Sequence, residues 1–330
     1  VAGGLLYGMP LAFCHSFIVY RGVFVLLFLL KSNIQTIKNC NHFSIYSKWI
    51  AFLRQFLSST YRTQILSYLK MSEPILKYHD LWSDVTAFST TRHGGFGEGA
   101  YSAFNINPYC GDNPRHTVQN LELLCRKLEL KPHDVVMPHQ THGTRIKLIE
   151  KDFFFKSEEE KARELYGVDA LVTKEKRICI GVSTADCVPL LLYDAENEVS
   201  AAVHAGWRGT KERFAGKVVA FLRHALSSPP ENIRVAIGPC IGREAFEVDS
   251  DVWEAFGEAG FNMKEIGEKR GRKWHMDLVQ ANVCQLVQQG IQKKNIICSD
   301  ICTFQENSDF FSARRLGILS GRIFNGIIIR

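Results

Sequence analysis

The middle of the chain is a succession of short apolar runs. Residues 170–173, 178–183, 189–193 and 199–204 are too short for independent helices, and they predict strands buried in a sheet. Further strands are predicted at 84–91, 135–138, 145–149, 234–237, 296–301 and 322–329, the last closing the fold. The strand at 84–91 runs into a flexible glycine-rich turn at 92–97, which leaves Arg92 at a strand end. Helical spacing appears over 113–130, where Asn113-Pro114 supplies a start and Val118, Leu121, Leu124 and Leu128 recur along one face. A second helix is predicted over 211–225, with Val218, Phe221, Leu222 and Ala225 on one side. A short helix is expected at 250–256, and Asp277 caps another that ends at Gly290. The charged run 156–161 reads as a solvated loop or helix face. With neither a repeat nor a linker after Met71, the pattern predicts a single mixed α/β domain over 71–330, its mixed β-sheets flanked by helices.

Residues 1–70 do not share this pattern. They hold seven Lys or Arg and no Asp or Glu, which leaves 33 basic against 34 acidic residues in 71–330. The net charge of +6 therefore originates in the opening segment, so composition implies no basic patch on the main body and nucleic acid is not expected as a partner. The apolar stretch 22–30 is bounded upstream by Arg21, with His15 and Pro10 beyond it, and falls short of the ~20 residues a bilayer span needs. A targeting or membrane segment, an amphipathic interaction arm, and upstream sequence translated ahead of a start at Met71 are three readings of this segment. The third suits the missing acidic residues best, and membrane association is expected only if the segment is native. Ten cysteines without a CxxC pair argue against a disulfide framework and for a reducing, cytoplasmic setting. Cys125, Cys179 and Cys284 lie in apolar runs, as small buried hydrophobes do. The oligomeric state is not legible.

Catalytic zinc favours three nitrogen or sulfur ligands with a fourth position left for water. His142, Cys187 and His204 offer such a set, each in a turn at the edge of a predicted strand. Their separations of 45 and 17 residues match no short metal motif, so spacing alone leaves the reading open. The same residues allow a thiol hydrolase with Cys187 as nucleophile and His204 as base. They also allow a non-catalytic zinc module with four protein ligands, in which Cys240 of GPCIG would be the extra thiol.

Three motifs, QTHG at 140–143, TADC with Pro189 at 184–189 and HAGWRG at 204–209, resemble the multicopper polyphenol oxidase, or laccase-domain, family. TTRHGG at 90–95, FNI at 104–106, GDN at 111–113, VDALVT at 168–173, IGPCIG at 237–242 and FFSARR at 310–315 extend the resemblance over about 74–330. It implies zinc held by His142, Cys187 and His204. It also implies phosphorolysis of adenosine, inosine and methylthioadenosine, with adenosine deamination as a further activity. Laccase chemistry, the older label, needs a cluster of histidines for oxygen reduction. Here His-x-His pairs are absent and the remaining histidines are dispersed, although copper would compete well for the zinc ligands. Deamination needs a carboxylate to carry a proton, and Asp186 and Asp169 are the nearest candidates in sequence. Phosphorolysis needs fixed positive charge, for which Arg208, Arg92, Arg314 and Arg315 are candidates. Asn105 of FNI completes the expected substrate-binding set of Arg92, Asn105, Arg208 and Arg314, with purine nucleosides and phosphate as partners.

Overall fold

A computed structural model describes residues 73–330, and the reading of 1–70 lies outside them. Strands β1 (Leu76–His79), β2 (Val85–Thr90), β3 (Val135–Val136), β4 (Arg145–Ile149) and β5 (Val168–Thr173) come first, with β6 (Cys179–Thr184), β7 (Val188–Asp194), β8 (Val199–Ala205) and β9 (Ile233–Ile237) after them. Then follow β10 (Glu247–Val248), β11 (Gly267–Arg270), β12 (Lys273–Met276), β13 (Ile296–Cys298) and β14 (Ile323–Ile329). The helices are α1 (Pro114–Leu128), α2 (Glu158–Leu165), α3 (Trp207–Lys211), α4 (Phe214–Leu226), α5 (Ser250–Glu258), α6 (Met263–Ile266), α7 (Leu278–Gln288) and α8 (Ala313–Leu316).

Two mixed sheets, ordered β1-β2-β14-β6-β3 and β13-β9-β7-β8-β5-β4, share a core in which β2, β6 and β14 face β5, β7, β8 and β9. Alternation along each strand decides which layer a side chain joins. Leu191 and Tyr193 of β7 point between the sheets, whereas Leu190 and Leu192 point the other way, onto α4 and α7. Phe88, Phe324 and Ile328 cover the outer face of the five-stranded sheet together with α1. The fold is thus mixed α/β, with helices flanking stacked sheets, as the apolar runs predict. A small sheet, β10-β12-β11, is an addition that the mixed sequence of GEKR and KWHM does not announce.

Helix ends follow their capping residues. The Asn113 side chain accepts from the Arg115 N–H ahead of Pro114, Ser157 and Glu160 form a capping box, and Asp277 accepts from the Gln280 N–H. Two expectations need correction. Val118 is exposed because the buried stripe of α1 runs through Thr117, Asn120, Leu124 and Leu128 instead. The single helix expected over 211–225 is two helices, α3 and α4, separated by Arg213 in a left-handed conformation.

A buried polar chain crosses the five-stranded sheet. The Ser89 hydroxyl donates to Asn325 Oδ1 at 2.6 Å, so His79 Nε2, 2.9 Å from Ser89 Oγ, must be the protonated nitrogen. Asn325 Nδ2 in turn donates to Thr184 Oγ1. Burial, helped by the charge of Lys77, pushes His79 down to about 4 from 6.5. A lowered histidine leaves stability intact above pH 6.5 and removes it as the pH falls toward 4, because the unfolded chain takes up the proton first. The loss expected across that window is about 3 kcal/mol. Urea midpoints measured at each pH should show a steeper acid decline for the natural chain than for His79→Gln. Parallel declines would remove His79 as the cause.

Candidate metal centre

Sheet register brings the candidate residues together. In the antiparallel pair β5–β8, Leu171 lies opposite Ala202 and Ala170 opposite Val203, so the next step places Asp169 opposite His204. In β7–β8, Pro189 lies opposite His204 and Val188 opposite Ala205, which carries Cys187 to the level of Gly206. The loop 140–143 enters from the end of β3 and is tied to β6 by one side chain. The Gln140 amide donates to the Ser183 carbonyl and accepts from the Ser183 N–H, at 2.9 and 2.7 Å.

The ligand atoms of His142, Cys187 and His204 all lie within 4.8 Å of one another. Among the described residues no other group of three His, Cys, Asp or Glu side chains meets in this way. The two imidazoles stand edge to face, 4.8 Å between centroids. Gly206 leaves the space for them, since a Cβ there would sit 3.1 Å from Cys187 Sγ and 3.1 Å from His142 Cδ2. His142 and Asp186 both adopt positive φ, 64° and 92°, a backbone strain of order 1–3 kcal/mol each that the surrounding hydrogen bonds hold in place.

Asp169 is fully buried and accepts backbone N–H groups from Thr141, His142 and Gly143 at 3.3, 3.0 and 2.7 Å. Its Oδ1 also lies 2.7 Å from His204 Nδ1. Burial opposes ionisation of this carboxyl, but His204 and the loop N–H groups outweigh it and hold it below the usual range. Engaging Nδ1 leaves His204 its Nε2 for Cys187, the arrangement that orients a metal-ligating histidine. Burial would raise the Cys187 thiol, yet the charge of His204 and the hydrogen bonds of both histidines bring it down to about 6. His204 is likewise lifted to about 9 against its own burial, by the Cys187 thiolate and Asp169. Two imidazoles and a ready thiolate form a donor set suited to a borderline-soft divalent ion.

The remaining candidates sit elsewhere around this end of the sheets. Asp186 precedes Cys187, but its carboxylate accepts from the Thr303 hydroxyl and the Arg314 N–H, each at 2.7 Å. The Arg314 guanidinium donates to the Glu247 carbonyl. Arg208 is exposed on α3, stacked 4.3 Å from the centroid of Trp207, and makes no ion pair among the described residues. Arg92 donates to the Ser102 and Asn307 carbonyls and lies over Phe311. Asn105 is fully buried, donating to Asp112 and accepting from the Asn107 and Arg322 N–H groups. Arg92 and Asn105 therefore join the loop framework, and their polar atoms have no bond to the His142, Cys187 and His204 cluster. Gln140, which ties the loop to β6, is a position that reading individual residues passes over, although it belongs to a motif visible in the chain.

A family model described as multi-copper polyphenol oxidoreductase laccase matches residues 86–330. The chain belongs to this family. A purine nucleoside phosphorylase from Bacteroides thetaiotaomicron is 40% identical over 259 residues, 77% of this chain and 96% of that protein. Adenosine deaminase RL5, from an unknown prokaryotic organism, is 43% identical over 245 residues, 74% of this chain and 93% of that protein. The crystal structure of the hypothetical protein YfiH from Bacillus licheniformis superposes with a TM-score of 0.73 at 28% identity, covering 78% of this chain and 97% of that one. The family resemblance carried by QTHG, TADC and HAGWRG is thereby borne out. No described helix is long and apolar enough to cross a membrane.

Proposed function

We propose that this chain is a purine nucleoside phosphorylase that also deaminates adenosine, working in the cytoplasm with zinc held by His142, Cys187 and His204. One observation carries the metal site: three nitrogen and sulfur donors converge within 4.8 Å while Asp169 holds the second nitrogen of one of them. The relatives named purine nucleoside phosphorylase and adenosine deaminase support the substrate class, with adenosine, inosine and methylthioadenosine as the nucleosides. When bound there, zinc supplies a Lewis acid that lowers the pKa of its water toward ~7. The same donors would accept copper, but oxygen reduction needs further clustered histidines, and among the described residues none gather.

The protein groups divide the rest of the work. Asp169 is a positioning residue, because every donor around it belongs to the loop 141–143 or to His204. Asp186 is less buried and is the carboxylate we assign to carrying a proton at Oδ1 or Oδ2. Arg208 is assigned to phosphate, since its guanidinium is exposed and has no competing carboxylate. Arg314 steadies Asp186 through its backbone N–H, while Arg92 and Asn105 keep the loop framework in shape.

A second reading has an observation of its own. The Cys187 thiol brought down to about 6 beside His204 is what a thiol hydrolase uses as nucleophile and base. Metal analysis of the purified chain, with base release from adenosine and inosine measured with and without phosphate, separates the two. Zinc near one per chain and phosphate-dependent release are expected. Activity that persists without metal or phosphate would favour the hydrolase.

Arg208→Ala should raise the KM for phosphate ~10-fold or more, the size of one lost charge-assisted hydrogen bond. Ammonia release from adenosine should stay within about twofold, because that reaction uses no phosphate. Equal losses in both assays would remove Arg208 from the phosphate site.

A further inference from the structure

Behind the loop that carries Cys187 lies a cleft of about 240 Å³ that the proposed reaction leaves unused. Three thiols line it, Cys240, Cys298 and Cys302, along with Gly242, Arg243, Asp277 and Asp300. All three are free. Cys240 and Cys302 are paired across an isolated parallel bridge, with the Cys240 N–H donating to the Ile301 carbonyl and the Thr303 N–H donating to the Cys240 carbonyl. Residues paired in this way project to the same side, with backbones ~4.8 Å apart, inside the Cα range of ~4.4–6.8 Å that a disulfide spans. The Gly242 N–H donates to Cys302 Sγ at 3.2 Å, which turns that sulfur toward the segment carrying Cys240.

The bridge is mechanically joined to the metal loop. Ile241, next to Cys240, donates its N–H to the Asp186 carbonyl at 2.9 Å, and Thr303, next to Cys302, donates its hydroxyl to Asp186 Oδ1. Any shift of either segment on closure of the two sulfurs is therefore passed to an anchor of the residue preceding Cys187.

We propose that Cys240 and Cys302 are a reversible oxidation site for hydroperoxides, whose closure to a disulfide is transmitted through Asp186 to the Cys187 loop. Cys302 is the more accessible of the two and meets the oxidant first. Burial pushes the Cys240 thiol well above its usual range, so Cys240 is not the sulfur that the oxidant meets first. In the first step Cys302 sulfur bonds to the outer peroxide oxygen, the O–O bond breaks and an alcohol or water leaves, giving a sulfenic acid. In the second step Cys240 sulfur attacks that sulfur, the S–O bond breaks and water departs with the thiol proton. Two thiols lose two electrons and two protons in all, and the peroxide is reduced by the same two electrons.

The test treats the full chain with hydrogen peroxide, blocks remaining thiols and maps the peptides by mass spectrometry. A peptide pair joined through Cys240 and Cys302, lighter by two hydrogens and separated again by a dithiol reductant, is expected. Cys240→Ala should drive Cys302 on to the sulfinic acid, since its resolving thiol is gone. The rate at which Cys187 reacts with iodoacetamide should change several-fold between the reduced and closed forms of the natural chain. A Cys302 sulfinic acid beside a reduced Cys240 in the natural chain would overturn the proposal. So would a bond to Cys298, or a Cys187 rate unchanged by closure.

Discussion

Cys187→Ser is expected to lose its zinc, and with it both phosphorolysis and deamination. The thiolate is the one anionic donor among the three proposed ligands, and a serine hydroxyl stays neutral and binds poorly near neutral pH. Removing a partner one step behind a ligand typically costs 10–100-fold in affinity, so replacing the ligand itself should cost at least ~100-fold. Zinc measured in the purified variant should fall from near one per chain to below a tenth. His142→Ala and His204→Ala should look the same, and combining them should add little, because three groups serving one ion fail as a unit. The thiol hydrolase gives a different pattern. There the variant is inactive with its metal content unchanged, and His142 is dispensable. Zinc near one per chain in an inactive Cys187→Ser protein would therefore transfer the assignment to a nucleophilic cysteine.

Asp169→Asn is the second substitution with a large expected effect, and it acts through shape. The carboxylate accepts from three consecutive backbone N–H groups of residues 141–143 and engages His204 Nδ1. An amide has one oxygen and one NH2, so the NH2 must face N–H donors that it cannot satisfy. Leaving such buried donors unpaired and stripping a buried partner from His204 should cost about 3–5 kcal/mol of stability. Zinc affinity should fall 10–100-fold alongside, because the imidazole loses the group that fixes its tautomer. Urea denaturation and metal titration check both. A variant as stable and as metal-competent as the natural chain, deficient only in kcat, would show that Asp169 moves protons instead of positioning ligands.

That contrast illustrates what the sequence makes legible. β5 to β8 can be read directly because they are apolar on both faces, and burial between a second sheet and a layer of helices demands that. His142, Cys187 and His204 stay ambiguous by spacing alone, and can be named as one set because QTHG, TADC and HAGWRG together resemble the laccase-domain family. Asp169 can be named as well, but its role depends on which atoms it meets, and that follows from the register of β5 on β8. Asp186 and Asp169 look equivalent along the chain. One proves to be enclosed by the loop it shapes, and the other is moored to Thr303 and Arg314, over a hundred positions away. Val118 misleads for a simpler reason: its apolar side chain fits the helical period, while the buried polar Asn120, which binds the carbonyls of Ala103 and Asn105, takes up the inner face.

The position of β14 has a consequence for how the protein is made. This strand lies between β2 and β6, and Ser89 and Asn325, which face each other across β2 and β14, are 236 positions apart. At ~5–20 residues per second, a ribosome leaves β2 waiting roughly ten to fifty seconds for its neighbour. Until β14 arrives, Phe88 lacks Phe324 and Ile328, which pack with it, and the facing edges of β2 and β6 have no strand between them. Synthesis therefore passes through a long-lived nascent state with open strand edges, which is where a chaperone would bind and where a slowed or interrupted message would produce aggregates.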